Sequence, residues 1–146
     1  MSHLGAWAPM AEQKGTAKFL GMKEAINTYL LDFKTKIEQR LFTIYDGFQL
    51  LKEEGFNVDA ISPKGAIYLT IKVDLTGKTT FEGKVLATQD DVTSYLLDEA
   101  RLAVVPFYAF GAPRNSAWYR LSVGTCKVEE ISEMIGELKS AMQKLR

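Results

Sequence analysis

Apolar residues recur at steps of three and four along residues 22–54, which is the spacing of one face of an α-helix. The members of this stripe are Met22, Ile26, Leu30, Phe33, Ile37, Leu41, Ile44, Phe48 and Leu51. We therefore predict one long amphipathic helix, which Gly55 ends. A helix of this length would extend for about 50 Å. A small domain cannot cover that length, so we expect part of the stripe to pack elsewhere.

Other segments also have helical signals. Residues 10–20 are helix formers that follow Pro9, and Gly21 separates them from the long helix. Thr88–Asp91 is typical of a capping box and predicts a helix that runs to about Ala100. A last helix is predicted from the apolar positions Val128, Ile131, Met134, Ile135, Leu138, Met142 and Leu145.

Alternating apolar and polar residues predict strands at 67–73 and 117–123, each with one buried face. A short apolar segment at 102–105, ended by Pro106, predicts a third strand. Residues 76–87 contain two glycines and are interpreted as a surface excursion. The predicted fold class is therefore α+β, with a small mixed β-sheet covered by helices on one face and a long N-terminal amphipathic helix.

Composition narrows the classes of function. Lysine plus arginine and aspartate plus glutamate both number 18, so the formal net charge is zero. Nucleic acids and anionic membrane surfaces attract a basic excess, so we expect binding to neither. No apolar run approaches the length of a membrane span, and the first residues lack the pattern of a signal peptide. The single Cys126 cannot form an intramolecular disulfide, which fits a reducing compartment and predicts a cytoplasmic protein.

Candidate catalytic groups are few. A nucleophilic triad or a zinc site would depend on His3, at the end of the chain, where residues are often poorly ordered. No glycine-rich phosphate-binding pattern occurs. The acidic pairs Asp90–Asp91 and Glu129–Glu130 lie at predicted helix starts, where capping explains them. The residues alone therefore assign no catalytic group and no metal site.

Arg120 is the most informative single residue. It lies in the middle of the strand Trp118–Val123, between bulky apolar neighbours. A planar guanidinium at such a place could bind a carboxylate in bidentate fashion. The other interpretation, which the residues alone favour, is a solvent-facing arginine on the open side of the sheet. The residues alone leave both interpretations open.

An ordered series of motifs resembles the C-terminal part of class I/II aminotransferases. Pro63–Leu69 is similar to the family's P-x-G-A-F-Y strand. Leu102–Pro106 followed by Ala109–Gly111 is similar to its V-x-V-x-P-G-x-x-F-G loop, and Tyr119–Ser122 matches its Y-x-R-L-S strand. The predicted helix at 22–54 is similar to the helix that links the large and small domains. The resemblance covers nearly the whole chain.

The resemblance implies that the intact protein is a pyridoxal-phosphate-dependent enzyme of fold type I. Such enzymes transfer an amino group between an α-amino acid and a 2-oxo acid. Arg120 would bind the substrate α-carboxylate, and Phe110 and Gly111 would belong to the loop beside the pocket. Residues 1–21 would join a large domain outside this chain, and residues 22–146 would form the C-terminal small domain.

The same resemblance places the Schiff-base lysine, the aspartate at the pyridine nitrogen and the phosphate cup upstream of this segment. It therefore implies that this chain alone is inactive, contributes no cofactor ligand and belongs to a homodimer. The alternative is a stand-alone α+β binding or regulatory module that holds an acidic small ligand with Arg120. Neither interpretation names the amino acid and the 2-oxo acid.

Two departures from the family pattern bear on the site. Phe107 and Tyr108 stand where the family usually has glycine and a small residue, so they add bulk beside the predicted pocket. The segment Thr76–Ala87 is longer than the pattern predicts. In addition, an apolar stretch around Trp7 has no evident partner, so we expect it to be uncovered when the large domain is absent.

Overall fold

The computed structural model describes residues 8–124 and 126–146. Their Cα atoms form two compact units, one up to Lys36 and one from Ile37 onward. The predictions made for His3 and Trp7 lie outside the described residues.

Two helices open the described chain, as predicted. Helix α1 spans Met10–Leu20, and helix α2 spans Lys23–Glu53 without interruption. Gly21 caps α1, and its N–H donates to the carbonyl of Lys18 at 3.2 Å. After α2 the chain turns at Gly55, whose φ of 93° is in the left-handed region that glycine adopts without strain.

The second unit contains a four-stranded sheet. Its strands are β1 (Val58–Ala60), β2 (Tyr68–Val73), β3 (Val105–Pro106) and β4 (Trp118–Ser122), in the order β1-β2-β4-β3. All three pairings are antiparallel, so the prediction of a mixed sheet was wrong. Residue alternation shows which face of a strand is buried but carries no information on the direction of its neighbour.

Helices and a short turn complete the second unit. Helix α3 spans Gln89–Ala100 and begins with the predicted capping box, in which Thr88 and Asp91 bond to each other's backbone N–H groups. A 3₁₀ helix covers Phe107–Phe110, and helix α4 covers Val128–Gln143. None of the helices in residues 8–124 and 126–146 is long and apolar enough to pass through a membrane.

The core lies on one face of this sheet. The inward-facing strand residues are Leu69, Ile71, Val73, Tyr119, Leu121 and Val123, and each is at least 95% buried. Side chains from α2, α3 and α4 belong to the same buried cluster. The α+β prediction is confirmed, with helices packed against one face of the sheet. The opposite face of β2 and β4, here called the open face, carries Tyr68, Thr70, Lys72, Trp118, Arg120 and Ser122.

Candidate functional site

Arg120 occupies the centre of the open face. Strand β4 lies between β2 and β3, and Arg120 is opposite Thr70 on one side and Val105 on the other. Its neighbours Tyr119 and Leu121 point into the core, since successive side chains of a strand alternate between faces. The position of Arg120 is therefore fixed by a strand that the core holds in place.

Two aromatic rings enclose the guanidinium of Arg120. Its central carbon lies 4.4 Å from the ring centroid of Tyr68 and 4.5 Å from that of Phe110. A guanidinium over a ring within about 6 Å is attracted by the negative face of the ring. The planar guanidinium could in addition donate two N–H groups to a planar acceptor such as a carboxylate. None of the ion pairs within residues 8–124 and 126–146 uses Arg120.

Phe110 and Gly111, the other two residues predicted for the site, form the end of the 3₁₀ turn. Gly111 has a φ of 91°, and its N–H donates to the carbonyl of Tyr108 at 3.0 Å. A side chain at this left-handed position would strain the backbone, so glycine suits the place where the chain leaves the turn. The structure thus brings Phe110 into contact with Arg120, whereas Gly111 contributes backbone geometry to the turn.

Phe107 and Tyr108, which replace the glycine and the small residue of the family pattern, contact different parts of the structure. The ring of Phe107 packs edge-on against Phe110, with centroids 6.1 Å apart. Tyr108 is directed to the first turn of α3, where its hydroxyl donates to the carboxylate of Asp90. That bond is the main reason why the pKa of Tyr108 is raised above its usual value. The guanidinium of Arg114 lies 5.2 Å from the centroid of the Tyr108 ring.

A second contact ties α3 to the same loop. Gln89 is buried, and its side-chain amide donates to the backbone carbonyl of Ser116. The loop between β3 and β4 is therefore bonded to the first turn of α3 at both Tyr108 and Ser116. This arrangement was not predictable from the sequence. Polar residues at a helix start are usually explained by capping, which hides a role as an anchor for another segment.

Comparison with known proteins identifies the family. The family model described as aminotransferase class I and II matches residues 6–138. The chain belongs to the class I and II aminotransferases. This finding confirms the resemblance seen in the motif series that includes the β4 sequence around Arg120.

Individual aminotransferases agree with this assignment. A probable aspartate/prephenate aminotransferase of Rickettsia prowazekii is 31% identical over 126 residues, which are 86% of this chain and 29% of that protein. The crystal structure of the Rhizobium meliloti aspartate aminotransferase superposes with a TM-score of 0.62 at 30% identity, over 75% of this chain and 26% of that one. A tetra mutant of the Thermus thermophilus aspartate aminotransferase shares the fold, with a TM-score of 0.66 at 21% identity, over 86% of this chain and 30% of that one. This chain thus spans less than a third of the length of these relatives.

The described residues do not make up a site for pyridoxal phosphate, the cofactor of this aminotransferase family. A Schiff-base lysine must react as a neutral amine, which a desolvating pocket favours. The lysines in ion pairs, namely Lys36, Lys52, Lys72, Lys84, Lys127, Lys139 and Lys144, have side chains at least 31% exposed. The other described lysines, namely Lys14, Lys18, Lys23, Lys34, Lys64 and Lys78, are exposed as well. The described ranges also contain no cluster of His, Cys, Asp and Glu able to hold a metal ion.

Proposed function

We propose that the intact protein is a pyridoxal-phosphate-dependent aminotransferase and that Arg120 binds the α-carboxylate of its substrates. The observation that carries this proposal is the enclosure of Arg120 between Tyr68 and Phe110 on an otherwise open sheet face. An arginine that merely faced solvent would not need two aromatic partners. The names of the matched relatives, which act as aspartate/prephenate or aspartate aminotransferases, support the same assignment.

A single arginine can serve both halves of the reaction. The amino donor and the 2-oxo acceptor each carry a carboxylate bonded directly to the carbon that gains or loses nitrogen. The guanidinium fork would pair with both carboxylate oxygens, which fixes the orientation of the reacting carbon as well as its distance. When bound, pyridoxal phosphate supplies an electron sink for the transfer. In this proposal Phe110 and Gly111 contribute the wall and the turn beside the bound carboxylate.

The remaining parts of the enzyme belong to other segments in this proposal. Residues 1–21 join a large domain that supplies the Schiff-base lysine and the phosphate cup, and residues 22–146 form the small domain. The enzyme would act as a homodimer on amino-acid and 2-oxo-acid substrates. This chain by itself would not catalyse the transfer, because it provides the carboxylate clamp without the cofactor site.

Steady-state transamination by the intact enzyme tests the role of Arg120. Arg120→Ala removes a charge-assisted bidentate contact, which contributes about 1.5 to 3 kcal/mol. We expect kcat/KM to fall about tenfold to a hundredfold. Arg120→Lys should restore little activity, since an ammonium cannot form the same planar fork. Cofactor absorbance and circular dichroism should stay as in the wild type.

Lys72→Ala is the matched control. It removes a positive charge from the same open face on the neighbouring strand, where Lys72 bonds to Asn57 and not to the aromatic pair. Its kcat/KM should stay close to that of the wild type. Unchanged kcat/KM in Arg120→Ala would remove Arg120 from the substrate site. If the intact gene product showed no transaminase activity at all, the alternative of a stand-alone module for an acidic ligand would be favoured.

A further inference from the structure

The 3₁₀ turn Phe107–Phe110 contains Phe110, one of the two aromatic residues beside Arg120. Contacts outside the turn help to hold it in position. Phe110 is 52% exposed, so burial in the core does not hold it in place. Its described aromatic contacts are with Phe107 and Arg120. The left-handed Gly111 follows directly and fixes the turn only through local backbone geometry. Something outside the turn must set its position.

Tyr108 provides that connection. It lies within the same turn, two residues before Phe110, and its hydroxyl donates to the carboxylate of Asp90. The ring borders a cavity of about 370 Å³, so close packing does not surround it on all sides. Arg114 adds a cation–π contact with the same ring. Strand β3 holds the start of the turn at Pro106, and the hydroxyl bond is the directional side-chain contact that ties the turn itself to α3.

Asp90 is a rigid partner for the bond. It lies in the first turn of α3, beside the Thr88–Asp91 capping box. The next turns of α3 insert Val92 and Leu96 into the core, where both are at least 99% buried. The backbone of Asp90 is thus fixed relative to the sheet that carries Arg120, although its side chain is exposed.

From this geometry we propose that the Tyr108–Asp90 bond is a latch that positions Phe110 against Arg120, which makes Tyr108 and Asp90 positioning residues for the substrate carboxylate. The inference rests on the proposed function, because it assigns how the Arg120 site is kept in its binding geometry. Neither residue touches the carboxylate in this proposal. Both act through the ring of Phe110, whose centroid lies 4.5 Å from the central carbon of the guanidinium.

Kinetics of the intact enzyme test the latch. Tyr108→Phe removes only the hydroxyl and keeps the ring under Arg114. One hydrogen bond changes the equilibrium constant between the latched and unlatched turn by about threefold to tenfold, so KM for the amino donor should rise by up to that factor. The value of kcat should stay within about twofold of wild type, because the lost contact affects binding of substrate and transition state alike. Asp90→Ala should have the same effect, and the double variant should be no worse than either single variant.

Conservative variants separate positioning from general damage. Asp90→Asn keeps an oxygen that accepts from Tyr108, so its KM should remain close to wild type. Tyr45→Phe removes a matched hydroxyl from a residue of α2 whose ring packs against Phe42, and it should leave both constants unchanged. A wild-type KM in Tyr108→Phe, or an Asp90→Asn variant as impaired as Asp90→Ala, would overturn the latch.

A second measurement keeps this test independent of the proposed function. In the intact protein labelled with ¹⁵N-arginine, the Nε–H resonance of Arg120 reports the ring currents of Phe110 and Tyr68. Tyr108→Phe should move this resonance toward its position in Phe110→Leu, whether or not Arg120 binds substrate. An unmoved resonance would refute the latch. An unaffected kcat/KM in Arg120→Ala, with the resonance moved, would refute only the substrate role.

Discussion

At the scale of single residues, the pairing of Arg120 with two rings gives the site its chemistry. Strand alternation in the sequence was enough to place Arg120 on the face opposite Leu121 and Val123, as the structure confirms. The partnership with Tyr68 was not predictable. It depends on the register in which Thr70 faces Arg120, and a sequence does not show how residues fifty positions apart are aligned. The site residues taken from the family resemblance remain proposals that kinetics must test.

Tyr68 allows the contribution of one ring to be measured. A partly exposed cation–π contact is worth about 0.5 to 1 kcal/mol. In the intact enzyme, Tyr68→Leu should therefore raise KM for the amino donor about twofold to fivefold. Tyr68→Phe is the control, since it keeps the ring and should bind substrate as well as the wild type does. Equal KM values in the two variants would show that the ring of Tyr68 does not help Arg120 to bind the substrate carboxylate.

At the scale of elements, the helices were predictable to within a few residues because each has a long periodic stripe or a distinct cap. The bounds of the strands were less predictable. Strand β1 (Val58–Ala60) has three residues, too few for alternation to be seen. The predicted strand at 102–105 is reduced to Val105–Pro106, because Leu102 still bonds back to Leu96 at the end of α3. Tertiary contacts determine where β1 and β3 form. A local sequence pattern contains no information about such contacts.

Two helical glycines test how closely α2 and α4 pack. A Cβ placed on Gly47 would lie 2.8 Å from Cγ1 of Ile135, whereas a Cβ on Gly136 would meet no atom within 4 Å. Both substitutions to alanine gain up to about 1 kcal/mol of helix propensity. Gly47→Ala also overpacks the contact, which costs about 1 to 3 kcal/mol.

Urea denaturation of the two variants should therefore give opposite signs. Gly136→Ala should be more stable than the wild type, and Gly47→Ala should be less stable. Because the two changes are chemically identical, their difference isolates the helix contact. Equal free energies of unfolding would mean that Ile135 moves aside at no cost and that the close approach of the helices is not a constraint.

At the scale of the whole molecule, the apolar stripe of α2 has two different environments. From Ile37 onward its members Leu41, Ile44, Phe48 and Leu51 are buried in the second unit. In the first unit eight large apolar residues are exposed by 40% or more, namely Met10, Phe19, Leu20, Met22, Tyr29, Leu30, Leu31 and Phe33, whereas Ile26 of the same stripe is partly buried. The long helix was predicted to exceed what a small domain can cover, and the exposed residues of the first unit agree with that prediction.

Exposed apolar surface of this kind drives association in water. We therefore expect the isolated chain to self-associate through the first unit, with an apparent mass in sedimentation that rises with concentration. Replacing Leu30 and Phe33 by lysine should abolish the rise, because it interrupts the apolar surface with charge. Replacing Asn27 and Thr35 by lysine adds the same charge at exposed polar positions of the same helix and should leave association intact. If both double variants became monomeric, charge repulsion and not apolar contact would be the cause. A wild-type chain that stayed monomeric at high concentration would show that the exposed stripe is tolerated in water.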